Sequence, residues 1–457
     1  MNDPNAPVFW QGSYHMFYQY NPNGAYWGDM HWGHAVSPDM VHWRHLPVAF
    51  TPTPGGPDAA GCFSGTAVVD GHRVAVLYTG VVSASEDDAT IRDGVNSLRE
   101  TQCLAIAADR DLTTWTKVPQ PVIAAPPPGI NVTGFRDPSP WRQGDSWYMV
   151  VGSGIRGKGG AILLYRSQDL HNWEYLHIVA GGPGSGANSA NPVDSGDMWE
   201  CPDLFPLGNQ HVLIYSSQGK AYWQSGDLDP KELLFHPRRQ GILDYGSFYA
   251  PKTQLDRSGN RILWGWVPET RPLAEYRASG WAGLMSLPRV LTLDDDGQLR
   301  ISVAPAVDSL RKKPQVLNVS ADEEQNQRQI AEMHLEQCCG EIRCTVKRGA
   351  KPLTLSLIGE EAWLTAKYDP ALPGQILLDD QPLSMPPPKT GELEIHMYID
   401  GSVVEVFVNG HVACTRRFYY SGTTAPRTGL QVAGNTASLA GLSIWQLAPI
   451  STNRLTA

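Results

Sequence analysis

Apolar and aromatic positions in the first two thirds of the chain follow one recurring pattern, a glycine turn followed by a strand-like run. The pattern occurs five times, and its glycines lie 59, 73, 64 and 51 residues apart. Alternating apolar residues directly after a tight turn predict the second arm of a β-hairpin. The five turns contain Gly12, Gly71, Gly144, Gly208 and Gly259.

A second pattern follows with the same rhythm and combines an aspartate, an apolar residue and a tryptophan. In Ser37–Trp43, Asp109–Trp115 and Ser167–Trp173, a tryptophan stands four positions after an aspartate. Ser225–Leu228 keeps the start of this pattern and loses the tryptophan. We expect a tight turn whose indole ring packs against the next sheet.

Strand-rich units of roughly 50–70 residues without long helices are typical of propeller blades. Five units predict a five-bladed β-propeller over residues 1–295; a stacked solenoid, normally of shorter period, is the alternative. Apolar residues at helical spacing predict a short helix ending at Lys312–Pro314, within a linker over residues 296–314. Alternating runs such as 393–399 and 402–408 predict an antiparallel β-sandwich over residues 315–457. The expected fold class is therefore all-β.

Size and charge narrow the possible partners. With 457 residues, 42% of them hydrophobic and 18% charged, the chain can fill two cores. A net charge of −10 argues against nucleic acid or an anionic membrane as the main partner. No apolar run approaches the roughly 20 residues that span a bilayer. Residues 1–20 lack the features of a signal peptide, so we expect a cytoplasmic protein, or a secreted one if an upstream segment is missing.

The cysteines and histidines show no metal-binding pattern. Seven cysteines is an odd number, none has zinc-site spacing, and the 13 histidines follow no ligand motif. We expect reduced, buried thiols, no disulfide framework, and neither a metal nor a cofactor. The cysteines stand at positions 62, 103, 201, 338, 339, 344 and 414.

Three acids stand at similar places in three of the repeats. Asp3, Asp137 and Glu200 precede their repeat glycines by nine, seven and eight residues. Because the first strands of propeller blades line a central funnel, we expect these carboxyl groups to meet in one pocket. Glycoside hydrolysis uses two carboxyl groups, one to attack the anomeric carbon and one to protonate the leaving oxygen. A single Asp-Pro turn, or one glutamate paired with an arginine, would be structural more often than catalytic. Three acids at similar positions in three repeats favour a catalytic site instead.

The acids lie within a series of short motifs that are spread over about 285 residues. The motifs are Met1–Asn5, Phe17–Pro22, Trp27–Gly28, Phe63–Gly65, Phe135–Pro138, Trp199–Asp203, Asp244–Gly246 and Gly280–Gly283. In sequence and order they resemble those of glycoside hydrolase family 32, which comprises invertases, inulinases, levanases and related fructosyltransferases. Gly401–Phe407 resembles the sandwich domain of the same family.

The resemblance implies a retaining hydrolase of β-fructofuranosyl bonds that acts on a small sugar, sucrose or a short fructo-oligosaccharide. Asp3 would attack C2 of the fructosyl unit, and Glu200 would serve as general acid and base. Asp137 would hold fructose hydroxyls and stabilise the oxocarbenium-like transition state. The residues implied to bind the substrate are Asn2, Gln19, Trp27, Phe63, Ser64, Arg136, Asp244 and Trp281.

Three other functions stay open at this point. A fructosyltransferase would use the same residues and pass the fructosyl unit to a sugar instead of water. An arabinan-cleaving propeller would use three carboxyl groups with inversion, although the Asn-Asp-Pro-Asn and Glu-Cys-Pro-Asp motifs argue against it. A non-catalytic fructan-binding propeller would be expected to lack one of the acids. The motifs do not encode the oligomeric state or the preference among sucrose, inulin and levan.

Overall fold

The computed structural model describes residues 1–450 except 94, 96, 187–188, 348, 350, 360, 373, 387–390 and 421–426. Residues 451–457, the end of the predicted sandwich domain, lie outside the described residues. The described chain consists mainly of β-strands, which confirms the predicted all-β class. It forms two compact units: Met1–Leu243 with Phe248–Leu299, and Asp244–Ser247 with the chain from Arg300 onward.

The first unit contains five antiparallel sheets that follow one another along the chain. In each sheet the first two strands are joined by one of the predicted glycine turns, and the five glycines have φ angles between 60° and 87°. A side chain is strained at such angles, so the turns require glycine. The first two sheets contain β1 (Pro4–Trp10), β2 (Ser13–Tyr20), β3 (His31–Ser37), β4 (Arg44–Phe50), β5 (Gly61–Asp70), β6 (Arg73–Ser83), β7 (Ile91–Arg92), β8 (Ser97–Ala107) and β9 (Trp115–Lys117).

The strand order follows the chain in the first, third and fourth sheets. In the second sheet it is β5-β6-β8-β7, with β9 paired to β8. The third and fourth sheets contain β10 (Val132–Gln143), β11 (Ser146–Ile155), β12 (Gly159–Ser167), β13 (Trp173–Gly181), β14 (Glu200–Leu207), β15 (Gln210–Ser217), β16 (Lys220–Leu228) and β17 (Phe235–Asp244). The fifth sheet contains β18 (Tyr249–Leu255), β19 (Arg261–Val267), β20 (Leu284–Met285), β21 (Arg289–Leu293) and β22 (Leu299–Val303), and helix α1 (Leu273–Ser279) lies between β19 and β20.

The first strands of the five sheets lie against one another. β1 contacts β5, β5 contacts β10, β10 contacts β14, and β14 contacts β18. β18 in turn contacts β1, so the series closes on itself. Buried apolar side chains fill the space between neighbouring sheets, for example Trp32 with Tyr78 and Met16 with Trp264. Burial of this kind contributes roughly 25 cal/mol per Å² of apolar surface and joins the sheets into one unit.

Every first strand carries a β-bulge, where its register against the second strand shifts. In four of the five bulges a non-glycine residue adopts a left-handed conformation, which costs about 1–2 kcal/mol. Bulges change the direction in which side chains leave a strand and are frequent beside active sites. The left-handed residues are Ala6 (φ 43°), Asp137 (φ 64°), Cys201 (φ 48°) and Ala250 (φ 49°).

The aspartate–tryptophan pattern forms the predicted turns. The indole N–H of each tryptophan donates to the carbonyl three residues earlier, at 3.0 Å in Trp43, 2.9 Å in Trp115 and 2.8 Å in Trp173. Trp43 also packs edge-on against Trp264 of the fifth sheet, with ring centroids 5.6 Å apart. The turn therefore closes on itself and presents its ring to a neighbouring sheet, as predicted.

The second unit contains two six-stranded antiparallel sheets, ordered β23-β34-β25-β30-β31-β32 and β24-β33-β26-β27-β28-β29. They share one apolar core, which is the arrangement of a β-sandwich. Its elements are β23 (Arg311–Val316), α2 (Glu323–Glu332), β24 (His334–Leu335), β25 (Cys339–Val346), β26 (Leu353–Ile358), β27 (Ala362–Tyr368), β28 (Gln375–Leu378), β29 (Gln381–Ser384), β30 (Leu393–Asp400), β31 (Val403–Val408), β32 (Val412–Arg417), β33 (Thr428–Gly434) and β34 (Leu439–Leu447).

The short helix predicted in the linker is a 3₁₀-helix over Pro305–Leu310. It ends earlier than expected, because Arg311–Val316 pairs with β34 as a strand. Helix α2 was not predicted from the apolar pattern, since only Asn326 and Ile330 of its residues are buried. The Asp322 side chain caps its first turn by accepting from the N–H groups of Glu324 and Gln325.

Candidate active site

The carboxylate of Asp3, directly before β1, sits in a network of hydroxyl and amide contacts. The Ser64 hydroxyl donates to Asp3 Oδ2 at 2.5 Å, and the Asn2 amide donates to Oδ1 at 3.2 Å. Gln19 links these two neighbours, because its Nε2 donates to Ser64 Oγ at 2.8 Å and its Oε1 accepts from Asn2 Nδ2. The structure thus brings three of the predicted site residues, Asn2, Gln19 and Ser64, together around the Asp3 carboxylate.

Asp137 occupies the left-handed position in the bulge of β10 and is 3% exposed. Its main-chain N–H donates to Thr79 Oγ1 at 2.8 Å, which fixes the strained backbone. Its Oδ2 accepts from the N–H of Cys201 at 2.8 Å and lies 3.5 Å from the Cys201 sulfur. The same sulfur lies 3.7 Å from Asp3 Oδ2. Two carboxylates that are far apart in the sequence therefore face one thiol.

Glu200, the residue before that thiol, is the third acid at this place. Its Oε1 accepts from Arg136 Nε at 3.0 Å and from Arg136 Nη2 at 2.8 Å. Its Oε2 accepts from the Tyr249 hydroxyl at 2.6 Å. Arg136 lies on β10 and Tyr249 lies on β18, so Glu200 at the start of β14 is contacted from both neighbouring sheets.

The surroundings of Asp3 favour its protonated form more strongly than water does. Burial is the main cause that raises its pKa, and the charge of Glu200 adds to this effect. Hydrogen bonds from Ser64 and Asn2 oppose the shift because they stabilise the carboxylate.

Asp137 is perturbed further. Burial, with the charges of Glu200 and Asp3, raises its pKa to about 7, against the opposing positive charges of Arg136 and Lys252. Carboxyl groups that titrate near neutrality cluster at functional sites. This shift therefore supports a chemical role for Asp137 beyond a structural one.

Arg136 is the main positive charge beside the acids, and its side chain is 11% exposed. Burial disfavours its charged form, but the charges of Glu100, Glu200 and Asp137 outweigh burial and raise its pKa. Its Nη1 donates to Glu100 Oε1 at 2.7 Å. Arg136 therefore stays charged between two carboxylates on opposite edges of its guanidinium group.

Two aromatic residues predicted for the site lie against each other. The Trp27 ring stands edge-on to the Phe63 ring, with centroids 5.8 Å apart. Phe63 is buried beside Ser64, whereas Trp27 is 55% exposed. An exposed indole at this position offers an apolar face to a sugar ring.

Trp281 stacks on the guanidinium group of Arg271, 4.3 Å from the ring centroid. The next residue, Ala282, accepts a hydrogen bond from the Met1 ammonium group at 3.2 Å. This segment therefore lies beside the N-terminal residues that carry Asp3, and contact between Trp281 and substrate stays a prediction.

Asp244, which was predicted to lie in the pocket, is fully buried and belongs to the second unit. The carboxylate accepts from the N–H of Thr415 at 2.9 Å, from the Thr415 hydroxyl at 2.7 Å and from the N–H of Gly246 at 2.8 Å. These bonds hold the 244–247 segment against β32, and contact between Asp244 and substrate stays a prediction.

Several residues of the site were missed from sequence alone. Cys201 lies inside the Trp199–Asp203 motif and Tyr249 lies three residues after the Asp244–Gly246 motif, but nothing local distinguishes a contacting side chain from a packed one. Lys252 is fully buried and donates to the Pro202 carbonyl at 3.2 Å. Glu100 had one usable signal, since it is a charged residue leading into the apolar run of β8.

Within the described residues, no group of three or more His, Cys, Asp or Glu side chains is arranged to hold a metal ion. All seven cysteines are free thiols. In the same part of the chain, no α-helix combines the length and apolarity that crossing a bilayer requires.

The three neighbouring acids supply the two carboxyl groups that glycoside hydrolysis uses, which points to the class of glycoside hydrolases. Comparison with known families agrees with this class. Residues 1–303 match the Glycosyl hydrolases family 32 N-terminal domain, and residues 306–446 match the Glycosyl hydrolases family 32 C terminal. The chain belongs to glycosyl hydrolase family 32, which confirms the resemblance of its motifs.

Relatives cover nearly the whole chain. The sucrose-6-phosphate hydrolase of Escherichia coli is 35% identical over 98% of this chain and 92% of its own length. Among solved structures, the Bombyx mori β-fructofuranosidase has a TM-score of 0.77 and 29% identity, covering 98% of this chain and 92% of that one. Fructan 1-exohydrolase IIa from Cichorium intybus has a TM-score of 0.77 and 26% identity, covering 98% and 95%.

Proposed function

We propose that this protein hydrolyses β-fructofuranosyl bonds in sucrose or short fructans with retention of configuration. The observation that carries the proposal is that Asp3 and Asp137 both lie against the Cys201 sulfur, while the charge of Glu200, the residue before it, raises the pKa of both, in a member of this family. Relatives named as hydrolases of sucrose-6-phosphate and raffinose support a fructosyl substrate. Solved relatives in complex with sucrose and with 1-kestose support it further.

In the proposed reaction, the Asp3 carboxylate attacks C2 of the fructosyl unit while Glu200 protonates the leaving oxygen. The bond between C2 and that oxygen breaks, and a covalent fructosyl–Asp3 ester forms. Glu200, now a carboxylate, removes a proton from water, which attacks C2 and releases fructose and free Asp3. Asp137 stabilises the positive charge that develops on the sugar ring in both transition states.

The fructose pocket in this proposal contains the neighbours of Asp3 and the aromatic pair at its edge. Asn2, Gln19 and Ser64 orient the nucleophile and offer polar groups to sugar hydroxyls. Asp244 and Trp281 stay in the proposed set without a contact to the three acids in support. The full proposed set is Asn2, Gln19, Trp27, Phe63, Ser64, Arg136, Asp244 and Trp281.

We also propose that the five sheets are the blades of a five-bladed β-propeller. The closed series of contacts among β1, β5, β10, β14 and β18 supports this arrangement. A propeller axis at these strands explains why residues from separate sheets share one site. The domain limits of 1–295, 296–314 and 315–457 stay a prediction beside the two compact units.

The proposal is tested with sucrose, sucrose-6-phosphate, inulin and levan as substrates. We expect free fructose as the main product, with activity reduced about 10⁴-fold or more in Asp3→Asn and about 10²- to 10⁴-fold in Glu200→Gln. Both variants should melt close to wild type. Growing oligosaccharides at high sucrose would instead favour a fructosyltransferase, and an inactive wild type that still binds fructans would favour a binding protein.

Retention is tested separately by adding methanol to the reaction. A fructosyl–enzyme ester attacked from its open face gives methyl β-fructofuranoside. NMR detection of the α-anomer as the first product would rule out the two-step mechanism and with it Asp3 as nucleophile.

A further inference from the structure

We propose that Glu100 is a positioning residue for the general acid/base Glu200 and acts through Arg136. The inference rests on the proposed function and assigns a task to a buried carboxylate that does not itself touch the sugar. Glu100 lies on β8 in the second sheet, and Glu200 lies on β14 in the fourth, so Arg136 of the third sheet connects them.

The contacts of Glu100 leave neither oxygen free. Its Oε1 accepts from Arg136 Nη1 at 2.7 Å, and its Oε2 accepts from the N–H of Phe135 at 2.7 Å. Its own N–H donates to Thr90 Oγ1 at 2.9 Å. The side chain is fully buried. One carboxylate therefore fixes both the guanidinium group of Arg136 and the backbone directly before it.

Arginine has a rigid planar fork of donors, so fixing one edge fixes the other. Glu100 takes Nη1, and the opposite edge of Arg136 presents Nε and Nη2 to Glu200 Oε1. The remaining oxygen of Glu200 accepts from Tyr249. Without Glu100 the guanidinium group of Arg136 could rotate. The Glu200 carboxyl group would then lose one of the two contacts, with Arg136 and with Tyr249, that fix its orientation.

Charge gives a second reason for the arrangement. Glu200 must alternate between a protonated and an ionised form during each turnover. A buried arginine paired with Glu200 alone would lose its counterion whenever Glu200 carries a proton, which is costly in a dry site. Glu100 is a second carboxylate partner of Arg136, so Arg136 keeps an ion pair when Glu200 takes up a proton.

Gln102 supplies an internal comparison. It stands two residues after Glu100 on the same strand, and its Nε2 donates to the Phe135 carbonyl at 2.9 Å. Its Oε1 accepts from Thr79 at 3.0 Å. Gln102 therefore anchors the same backbone segment without touching the guanidinium group or Glu200.

The test uses the full-length enzyme and two substrates that differ in their need for acid catalysis. Sucrose needs a proton on its leaving oxygen, whereas a nitrophenyl β-fructofuranoside releases a stable phenolate without one. In Glu100→Gln we expect kcat/KM for sucrose to fall about 10- to 100-fold, part of the usual contribution of a general acid. For the nitrophenyl substrate kcat/KM should change less than about threefold, since fructosylation then bypasses Glu200.

Two further variants separate positioning from general damage. Glu100→Asp keeps the charge and should recover part of the activity toward sucrose. Gln102→Ala removes the bond to the Phe135 carbonyl and the contact to Thr79, which holds the backbone of Asp137, so it should lower kcat/KM for both substrates by the same factor. Equal losses for both substrates in Glu100→Gln, or no loss for sucrose, would overturn the inference. A wild type inactive on both substrates would instead overturn the proposed function and this inference with it.

Discussion

The Ser64 hydroxyl makes a short hydrogen bond to the Asp3 carboxylate and so stabilises the ionised form that attacks sugar. Burial raises the pKa of Asp3, and the Ser64 contact is the largest influence that lowers it again. In Ser64→Ala this opposing influence is lost, so the pKa of Asp3 should rise. We expect the acidic limb of the kcat/KM profile to move to higher pH, with a loss of about tenfold at neutral pH.

The measurement is kcat/KM on sucrose from acidic to neutral pH. Ser225→Ala is a matched control, because Ser225 is fully buried and donates to the Gly297 carbonyl at 2.6 Å far from the acids in sequence. It should lower stability and leave the acidic limb in place. An unmoved limb in Ser64→Ala would argue against Asp3 as the group that must be ionised.

Asp137 makes the active site a source of instability. Its folded-state pKa is about 7, above the value near 3.9 expected in the unfolded chain. Between these values the folded state binds a proton that the unfolded state does not, so stability falls as the pH rises through this window. Asp137→Asn removes the buried charge, and we expect it to unfold at higher temperature than wild type at pH 8 while losing about 10³-fold or more in activity.

The stability gain of Asp137→Asn should be on the order of a few kcal/mol at pH 8 and should disappear near pH 4. Asp203→Asn is the contrasting variant. The buried Asp203 carboxylate accepts from Ser139 and from both the N–H and the hydroxyl of Thr253, so its loss should destabilise the protein. Urea unfolding at pH 4.5 and 8 distinguishes the two, and a gain for Asp137→Asn that is equal at both pH values would contradict the linkage.

At the level of elements, the hairpins are what the sequence predicts best. A glycine turn and an alternating apolar strand are local signals, and each of the five glycines has the left-handed conformation that its turn requires. The bulges that follow these hairpins are not predicted. Ala6, Cys201 and Ala250 adopt left-handed conformations without any side-chain preference for them. Contacts between neighbouring first strands impose these conformations, and such contacts are absent from any local pattern.

The register of the first strands shows that Asp3, Asp137 and Glu200 do not occupy strictly equivalent positions in their sheets, although they reach one site. When the bulges are aligned, Glu200 corresponds to Arg136 and Tyr249, whereas Asp137 corresponds to Cys201. Asp3 lies two residues before the break in its own strand. Counting back from the glycines hides these offsets, because the stretch from bulge to glycine differs in length, with seven residues from Asn5 to Gly12 and eight from Arg136 to Gly144. The acids still meet, because adjacent first strands place several neighbouring positions at one site.

Asp244 and Glu100 illustrate what a sequence-based prediction leaves out. The family motif of Asp244 implies a place in the pocket but does not reveal its partner Thr415, which is 171 residues away. Glu100 belongs to no recognised motif, and its task depends on Arg136, which is 36 residues away in the next sheet. Both outcomes depend on long-range pairs that a single sequence does not display.

At the scale of the first unit, the site depends on closure between its first and last sheets. The first sheet carries Asp3, and the fifth carries Tyr249, which holds Glu200. Packing of Tyr14, Met16 and Met40 against Ile262 and Trp264 joins these sheets. This packing is noncovalent. A substitution in this core should therefore disturb the active site, although none of the core residues contacts the three acids.

Trp264 provides the test of this dependence. It is 3% exposed, and its indole N–H has no hydrogen-bond partner in the described part of the chain. Trp264→Ala should cost about 3–5 kcal/mol of stability and also lower kcat/KM at 25 °C, because the first and fifth sheets separate slightly. Trp264→Phe keeps one aromatic ring and removes the unpaired N–H with part of the indole, so it should retain more of both properties than Trp264→Ala.

Trp363 of the second unit is the matched control, since it is 9% exposed and stacks on Phe418 with ring centroids 4.4 Å apart. Trp363→Ala should lower the melting temperature to a similar extent, because a comparable ring leaves a core. Its kcat/KM on sucrose should match wild type at temperatures where the protein stays folded. Trp264→Ala could instead keep full activity while melting early. In that case the geometry of Asp3 and Glu200 would not depend on tight packing between the first and fifth sheets. The contacts between neighbouring first strands alone would then suffice to hold the site.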